Sequence, residues 1–193
     1  MLQYQNKGHV SEDDAQEIDY PELLADMKEG TSAANDDREQ QGYGRVDLVG
    51  WAETPRYDAS AHKMHWAKEL KFSSEDSHIL NYDVRVLGRN GVLTMQAIAN
   101  MSQLADIKPG MNDALAAVEF DNGARYAHFN ASNEKVAGYG LAALVAGDIA
   151  AKAGLFSKLF ILLLAFKKFV IGGVVLLGYG LLRLFGKKKA KGG

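Results

Sequence analysis

The sequence predicts an α+β head, an antiparallel β-meander with helices packed on one face, followed by a C-terminal transmembrane helix. Three observations carry this. Apolar and polar residues alternate over Lys63–Phe72 and again on both sides of Asn90-Gly91. A helix-start signal stands at Asp19, with Pro21 and Glu22 behind it. The tail from Leu155 to Phe185 is apolar on a scale found nowhere else in the chain and closes on Lys187, Lys188, Lys189 and Lys191.

Taken in order, Leu2 and Tyr4 mark a very short first strand, and Asn6 to Glu17 reads as polar loop. Asp19 is placed to cap a helix whose apolar stripe is Leu23, Leu24 and Met27, with Glu22 in capping-box position. Gly30 ends or interrupts that helix, and Thr31 to Gln41 is a second helical piece or a loop. Arg45 to Glu53 follows as a strand, and Thr54 to Ala61, containing Pro55, as a connection. Lys63 to Phe72 places Met64, Trp66, Leu70 and Phe72 on one side and His65, Glu69 and Lys71 on the other, a half-buried strand.

Asn90-Gly91 suits a two-residue type I′ hairpin, which would set residue 87 opposite 94 and 85 opposite 96. In that arrangement Tyr82, Val84, Val86, Met95, Ala97 and Ala99 form an apolar face, and Asp83, Arg85, Thr94 and Gln96 a polar one. Pro109 opens a short helix with Met111, Leu115 and Val118. From Gly138 the small residues Gly140, Ala143, Gly147, Ala150 and Gly154 recur at helical spacing, a stripe that lets another helix approach closely. The organisation expected is a head over residues 1–135, a Gly/Ala-rich linker or interfacial helix over 136–164, a span over 165–186 and a basic tail over 187–193.

The span needs argument. Phe169 to Leu182 is uncharged for only 14 residues, and a helix needs about 20 to cross a bilayer core. Snorkelling of Lys167 and Lys168 at one end and Arg183 at the other extends it to Ala165–Gly186, 22 residues, roughly 33 Å at about 1.5 Å per residue. The anchor residues are then Lys167, Lys168, Phe169, Ile171, Val174, Val175, Leu176, Leu177, Leu181, Leu182 and Arg183.

Charge divides the chain in the same place. Of its 22 basic side chains nine fall in residues 151–193, where no acidic one occurs, leaving 13 basic against all 24 acidic in residues 1–150. The acidic head is a poor fit to nucleic acid, whose phosphates demand basic neutralisation, while a basic tail beside an apolar run suits anionic headgroups. With no cysteine, disulfides, thiolate metal sites and cysteine nucleophiles are excluded. Met1 to Val10 lacks the basic and apolar regions of a signal peptide.

The stretches GWAETPRYDASAHKMHWA (Gly50–Ala67), LNYDVRVLGRNGVL (Leu80–Leu93) and FDNGARYAHFNASNEKVAGYGLAALVAG (Phe120–Gly147) resemble a bacterial family of predicted membrane-anchored proteins known only as a domain of unknown function, family 2167. The resemblance spans nearly the whole chain. It implies no reaction and so no catalytic residue. It does imply topology: members carry an export signal and further strands ahead of the position where this chain starts. The expectation is a single-pass inner-membrane protein with a periplasmic head, a cytoplasmic C-terminus and an uncovered sheet edge or face.

Candidate sites are few. His62 and His65 near Asp58 lack any further metal-ligand spacing, so neither a metal site nor a cofactor is expected. Gly88-Arg89-Asn90-Gly91 is explained by the hairpin rather than by phosphate binding. Acidic runs such as Glu12-Asp13-Asp14 read as solvated loop, and Trp51, Trp66 and Tyr82 as core. His65, Glu69, Asp83, Arg85 and Gln96 would share one face if their strands are neighbours, a candidate partner-binding surface. The function expected is non-enzymatic, a head binding a partner or organising a membrane complex. The alternatives are a membrane-bound hydrolase using His65, Asp83 and Arg85, and an oligomeric pore associating through the small-residue stripe.

Overall fold

The structure is a computed structural model that describes residues 1–147. Its centre is a five-stranded antiparallel sheet in the order β1-β6-β5-β4-β3, with β1 (Leu2–Gln5), β3 (Val46–Asp58), β4 (Lys63–Phe72), β5 (Ile79–Leu87) and β6 (Val92–Asn100). The α+β, meander character read from the alternations is what is found. A second, two-stranded parallel sheet joins β2 (His9–Ser11) to β7 (Val136–Gly140). It runs through residues expected to be loop and linker.

One face of the large sheet is dry. Ala67, Leu80, Tyr82, Val84, Val86 and Met95 form a buried cluster with Leu115 of α3 (Leu104–Ala116), and Leu104, Ile107 and Met111 close over it. A fully buried side chain of the Leu or Val type contributes about 1.5–3 kcal/mol, so this layer is the main store of stability. Helix α3 starts five residues before Pro109, which lies inside it. A 3₁₀ turn over Met101–Gln103 precedes it, with Asn100 and Gln103 capping each other reciprocally.

Helix α1 (Tyr20–Ala33) begins as its sequence predicts, the Asp19 carboxylate accepting from the Glu22 amide at 2.9 Å. It continues through Gly30, buries Leu23 and Met27, and is followed by α2 (Asn35–Gln40). The Asn35 amide exchanges two hydrogen bonds with the Val46 backbone. The Trp51 indole N–H donates to the Tyr20 carbonyl at 3.3 Å, and Trp51 pairs with Lys68, on the face opposite Ala67 and Tyr82. Helices therefore lean on both faces of the sheet, not on one. Met64, His65, Trp66 and Ala67 are consequently all buried, and the middle of β4 is covered on both sides.

Strand β3 runs through Pro55 to Asp58, past the connection expected there. The proline is tolerated because β3 is an edge strand and the pairing is irregular between Glu53 and Arg56, the one setting where a missing N–H costs no ladder bond.

The β5–β6 hairpin departs from its expected turn. Leu87 pairs with Val92 and Arg85 with Thr94, two residues away from the predicted alignment, and the Gly88 amide donates to the Gly91 carbonyl at 2.8 Å. Arg89 and Asn90 occupy the turn centre and neither they nor Gly91 has a positive φ, so the turn is not type I′, which needs two. A slip of two preserves every face, and the apolar and polar sets are those expected.

Beyond residue 135 the fold continues through β7 into α4 (Leu141–Ala146). Gly140 is extended at the entry of α4, and Gly147 ends it with a φ of 62°. The stripe of Gly140, Ala143 and Gly147 thus does not lie on one helix. Its remaining members, Ala150 and Gly154, and the expected anchor from Lys167 to Arg183 lie outside the described residues. No helix among the described residues is long and apolar enough to cross a membrane.

Candidate functional site

The sheet divides the five residues expected to share a surface. Trp66 stands opposite Asp83 and His65 opposite Val84, so Asp83, Arg85 and Gln96 occupy one face and His65 and Glu69 the other. His65 is buried on the apolar side, where desolvation first, then the Arg56 and Lys63 charges, hold its pKa below the ordinary imidazole value. Glu69 takes the His78 ring as partner. A catalytic set of His65, Asp83 and Arg85 is therefore not assembled.

What the polar face does assemble is an ion cluster. Asp83 is 1 % exposed. Its Oδ1 accepts from Arg85 Nη1 at 2.9 Å and Gln96 Nε2 at 3.1 Å, and Lys68 Nζ lies 3.8 Å from Oδ2. The Arg85 guanidinium sits 4.9 Å from the Trp66 ring centre. Burial lowers the Lys68 pKa while Asp83 opposes that shift. Asp83 Oδ2, Trp66 Nε1 and Asn81 Oδ1 are buried without a hydrogen-bond partner among the described residues, an expensive state for polar atoms. Two cations, Arg85 and Lys68, therefore face one buried carboxylate.

A second cluster, at the end of the sheet that carries the β3–β4 and β5–β6 turns, was not legible as a unit. The β3–β4 turn is built by Asp58, whose Oδ1 accepts from the Ser60 amide and hydroxyl and the Ala61 amide. The chain then enters the left-handed region at His62, φ 51°, the one non-glycine among the described residues to do so. Such a conformation costs of order 1–3 kcal/mol and persists where the surroundings over-determine it.

Those surroundings are specific. His62 Nδ1 lies 3.2 Å from Glu12 Oε2, and the Tyr57 hydroxyl donates to the same oxygen. The His62 ring stacks on Tyr126 at 4.2 Å, Tyr126 on His9 at 4.2 Å, and His9 on Phe129 at 3.8 Å. The Tyr126 hydroxyl donates to the Val10 carbonyl at 2.9 Å. Burial first and Glu12 second push the Tyr126 phenol up to about 12 and Tyr57 further, so both stay protonated donors. Burial holds His9 below its ordinary value, and its Nδ1 meets the Arg89 carbonyl at 3.2 Å. A carbonyl only accepts, so Nδ1 carries the proton there.

Glu12 and Asp14, read as solvated loop, are thus structural. Glu12 orients His62, and both Asp14 oxygens accept from the Leu141 and Ala142 amides at 3.0 Å, capping α4. Beside His62 opens a cavity of about 390 Å³, lined by Lys63, Val86, Leu115, Val118, Phe120 and Tyr126 among others. Arg125 at its rim is paired with Glu119 at 2.6 Å. Among the described residues no three metal-ligating side chains converge.

No curated protein and no solved structure matches the chain. A family model matches residues 1–178, taking in the sheet, both clusters and most of the apolar tail. The chain belongs to the family described as protein of unknown function, DUF2167.

Proposed function

We propose that this protein is a membrane-tethered binding protein of the bacterial envelope, its head held at the inner-membrane surface by the tail and engaging a partner there. The observation that supports the reading is the division of the sequence: all 24 acidic side chains precede residue 151, and the uncharged run Phe169–Leu182 lies within a purely basic tail. A carboxylate-rich head stays in water, and an apolar helix flanked by lysines partitions into lipid. On this reading the bilayer is the first partner, the head faces the periplasm and the lysines after Gly186 face the cytoplasm.

Fractionation of the full chain tests the tether. The protein should stay with membranes through an alkaline carbonate wash, and Val175→Arg with Leu177→Arg should release it. Recovery of the unmodified chain in the soluble fraction without detergent ends the proposal. Protease access to the head in outer-membrane-permeabilised cells tests orientation, and protection of the head there would place it in the cytoplasm instead.

A further inference from the structure

We infer that the cavity beside His62 is a binding site for a small monocarboxylate with an apolar body. The inference goes beyond the tethered-binder reading and does not depend on it. At about 390 Å³ the cavity falls in the lower part of the ordinary range for small-molecule sites, roughly 300–1,000 Å³. Val86 and Leu115 belong to the dry core, and Val118 and Phe120 pack against it, so one wall is apolar and fixed by the sheet.

The polar end is made of donors. Lys63 lines the cavity and has no carboxylate partner among the described residues. The hydrogen bonds that the His62 ring makes among the described residues are at Nδ1, to Glu12 and Tyr57, which leaves Nε2 for a ligand. A carboxylate at Nδ1 fixes the ring, the same arrangement that orients histidines in catalytic and metal sites. The acids nearby have partners: Glu12 accepts from Tyr57 and meets His62, Glu119 pairs with Arg125, and Asp58, opposite Lys63 in the strand register, accepts from Ser60 and Ala61. Lys63 is therefore the cation at the cavity that has no ion-pair partner among the described residues. An acid group between Lys63 and His62 would neutralise it, with the body of the ligand against Leu115, Val118 and Phe120. The left-handed turn places the imidazole at this rim, and the stacked Tyr126 keeps it there.

Saturation-transfer NMR on the full chain in detergent micelles, with micelles alone as the blank, tests the site. The probes are benzoate and 4-methylpentanoate, each against its neutral amide. The acids should bind at least tenfold tighter than the amides. Lys63→Met should reduce acid affinity about tenfold, the loss of one charge-assisted hydrogen bond of roughly 1.4 kcal/mol or more. His62→Asn, which tolerates the left-handed turn, should do likewise. Ala116→Trp, at an exposed rim position, should block acid and amide alike while leaving thermal unfolding unchanged, which separates occlusion from misfolding. Equal affinity for acid and amide, no saturable binding of either acid, or unchanged acid affinity in Lys63→Met overturns the site. None of these outcomes bears on the tether, which the carbonate wash decides.

Discussion

The β3–β4 and β5–β6 turns lie side by side at one end of the same sheet and solve the same problem in opposite ways. The β5–β6 turn has the glycines and asparagine that local rules reward, yet it takes no left-handed residue. The β3–β4 turn, Asp58 to Lys63, has no glycine and puts His62 into the left-handed region. In the first, tertiary contacts decide. The Arg89 amide donates to Ala124, the Asn90 carbonyl accepts from Gly8, and Gly91 is needed because a Cβ there would lie 2.2 Å from the Gln5 carbonyl. In the second, the strain is met by a carboxylate and a stacked ring and delivers a side chain to a cavity. Glycine without left-handed geometry marks close packing; left-handed geometry without glycine marks a side chain the fold has to aim.

The largest test of that contrast is Gly91→Ala. If the glycine serves packing against β1, the substitution forces the Gln5 backbone away and costs about 2–3 kcal/mol, roughly 4–12 °C in Tm for a chain of this size. Gly50→Ala is the matched control. Its Cβ meets nothing within 4 Å among the described residues, so its effect should stay within about 0.5 kcal/mol. Equal effects at the two sites would remove the packing explanation.

Arg89→Met should come next, at about 1–2 kcal/mol, because it leaves Glu134 and the Gly123 carbonyl without their shared donor. Its coupling with Glu134→Gln in a double-mutant cycle should exceed about 0.5 kcal/mol. Additive single effects would show that the turn is held by backbone contacts alone.

What was legible followed from period and local chemistry. The alternations assigned the faces of β5 and β6 correctly even where the hairpin alignment was two residues off, because faces depend only on parity; β4 was split into the right two sides, but its polar side, His65 and Glu69, lies with the apolar face of β5 and not with Asp83 and Arg85. Asp19 was legible because a cap acts three residues away. The β2–β7 pair was not, since three- and five-residue strands more than 100 positions apart leave no periodic trace. Nor were Glu12 and Asp14, whose partners are His62 and the α4 amides. Pro55 misled because a proline argues against a central strand, and nothing local says that β3 is an edge. One signal for His62 was available: a strand-to-strand loop, Ala59-Ser60-Ala61-His62, with no glycine or asparagine to take the left-handed position.

A smaller, pH-dependent effect extends the comparison to His9 and His65. Both are buried with lowered pKa values, so the unfolded chain binds more protons than the folded one below the ordinary value of 6.5. Stability is then fully present above about pH 6.5 and is lost as pH falls toward the lowered folded values. Glu134 has the opposite residue type but the same sense. Its lowered pKa, set mainly by the Asn130 amide, gives stability present above 4.5 and lost only in more acidic solution. Tm should therefore begin to fall below pH 6.5, before the carboxylate window opens, and His9→Gln should flatten that upper limb. An unchanged limb in His9→Gln would show that the ring stack, not its protonation, governs the response.

The smallest expected change is the sharpest test of strain. Replacing His62 by Gly removes the Glu12 contact and the Tyr126 stack but also releases the left-handed penalty, so stability should move by no more than about 0.5 kcal/mol. His62→Ala loses the same contacts and keeps the penalty, and should be about 1 kcal/mol less stable than His62→Gly. Denaturant unfolding of the pair measures the strain directly. If Ala and Gly are equally stable, the turn relaxes out of the left-handed region once the imidazole is gone, and the fold was never holding that conformation against its preference.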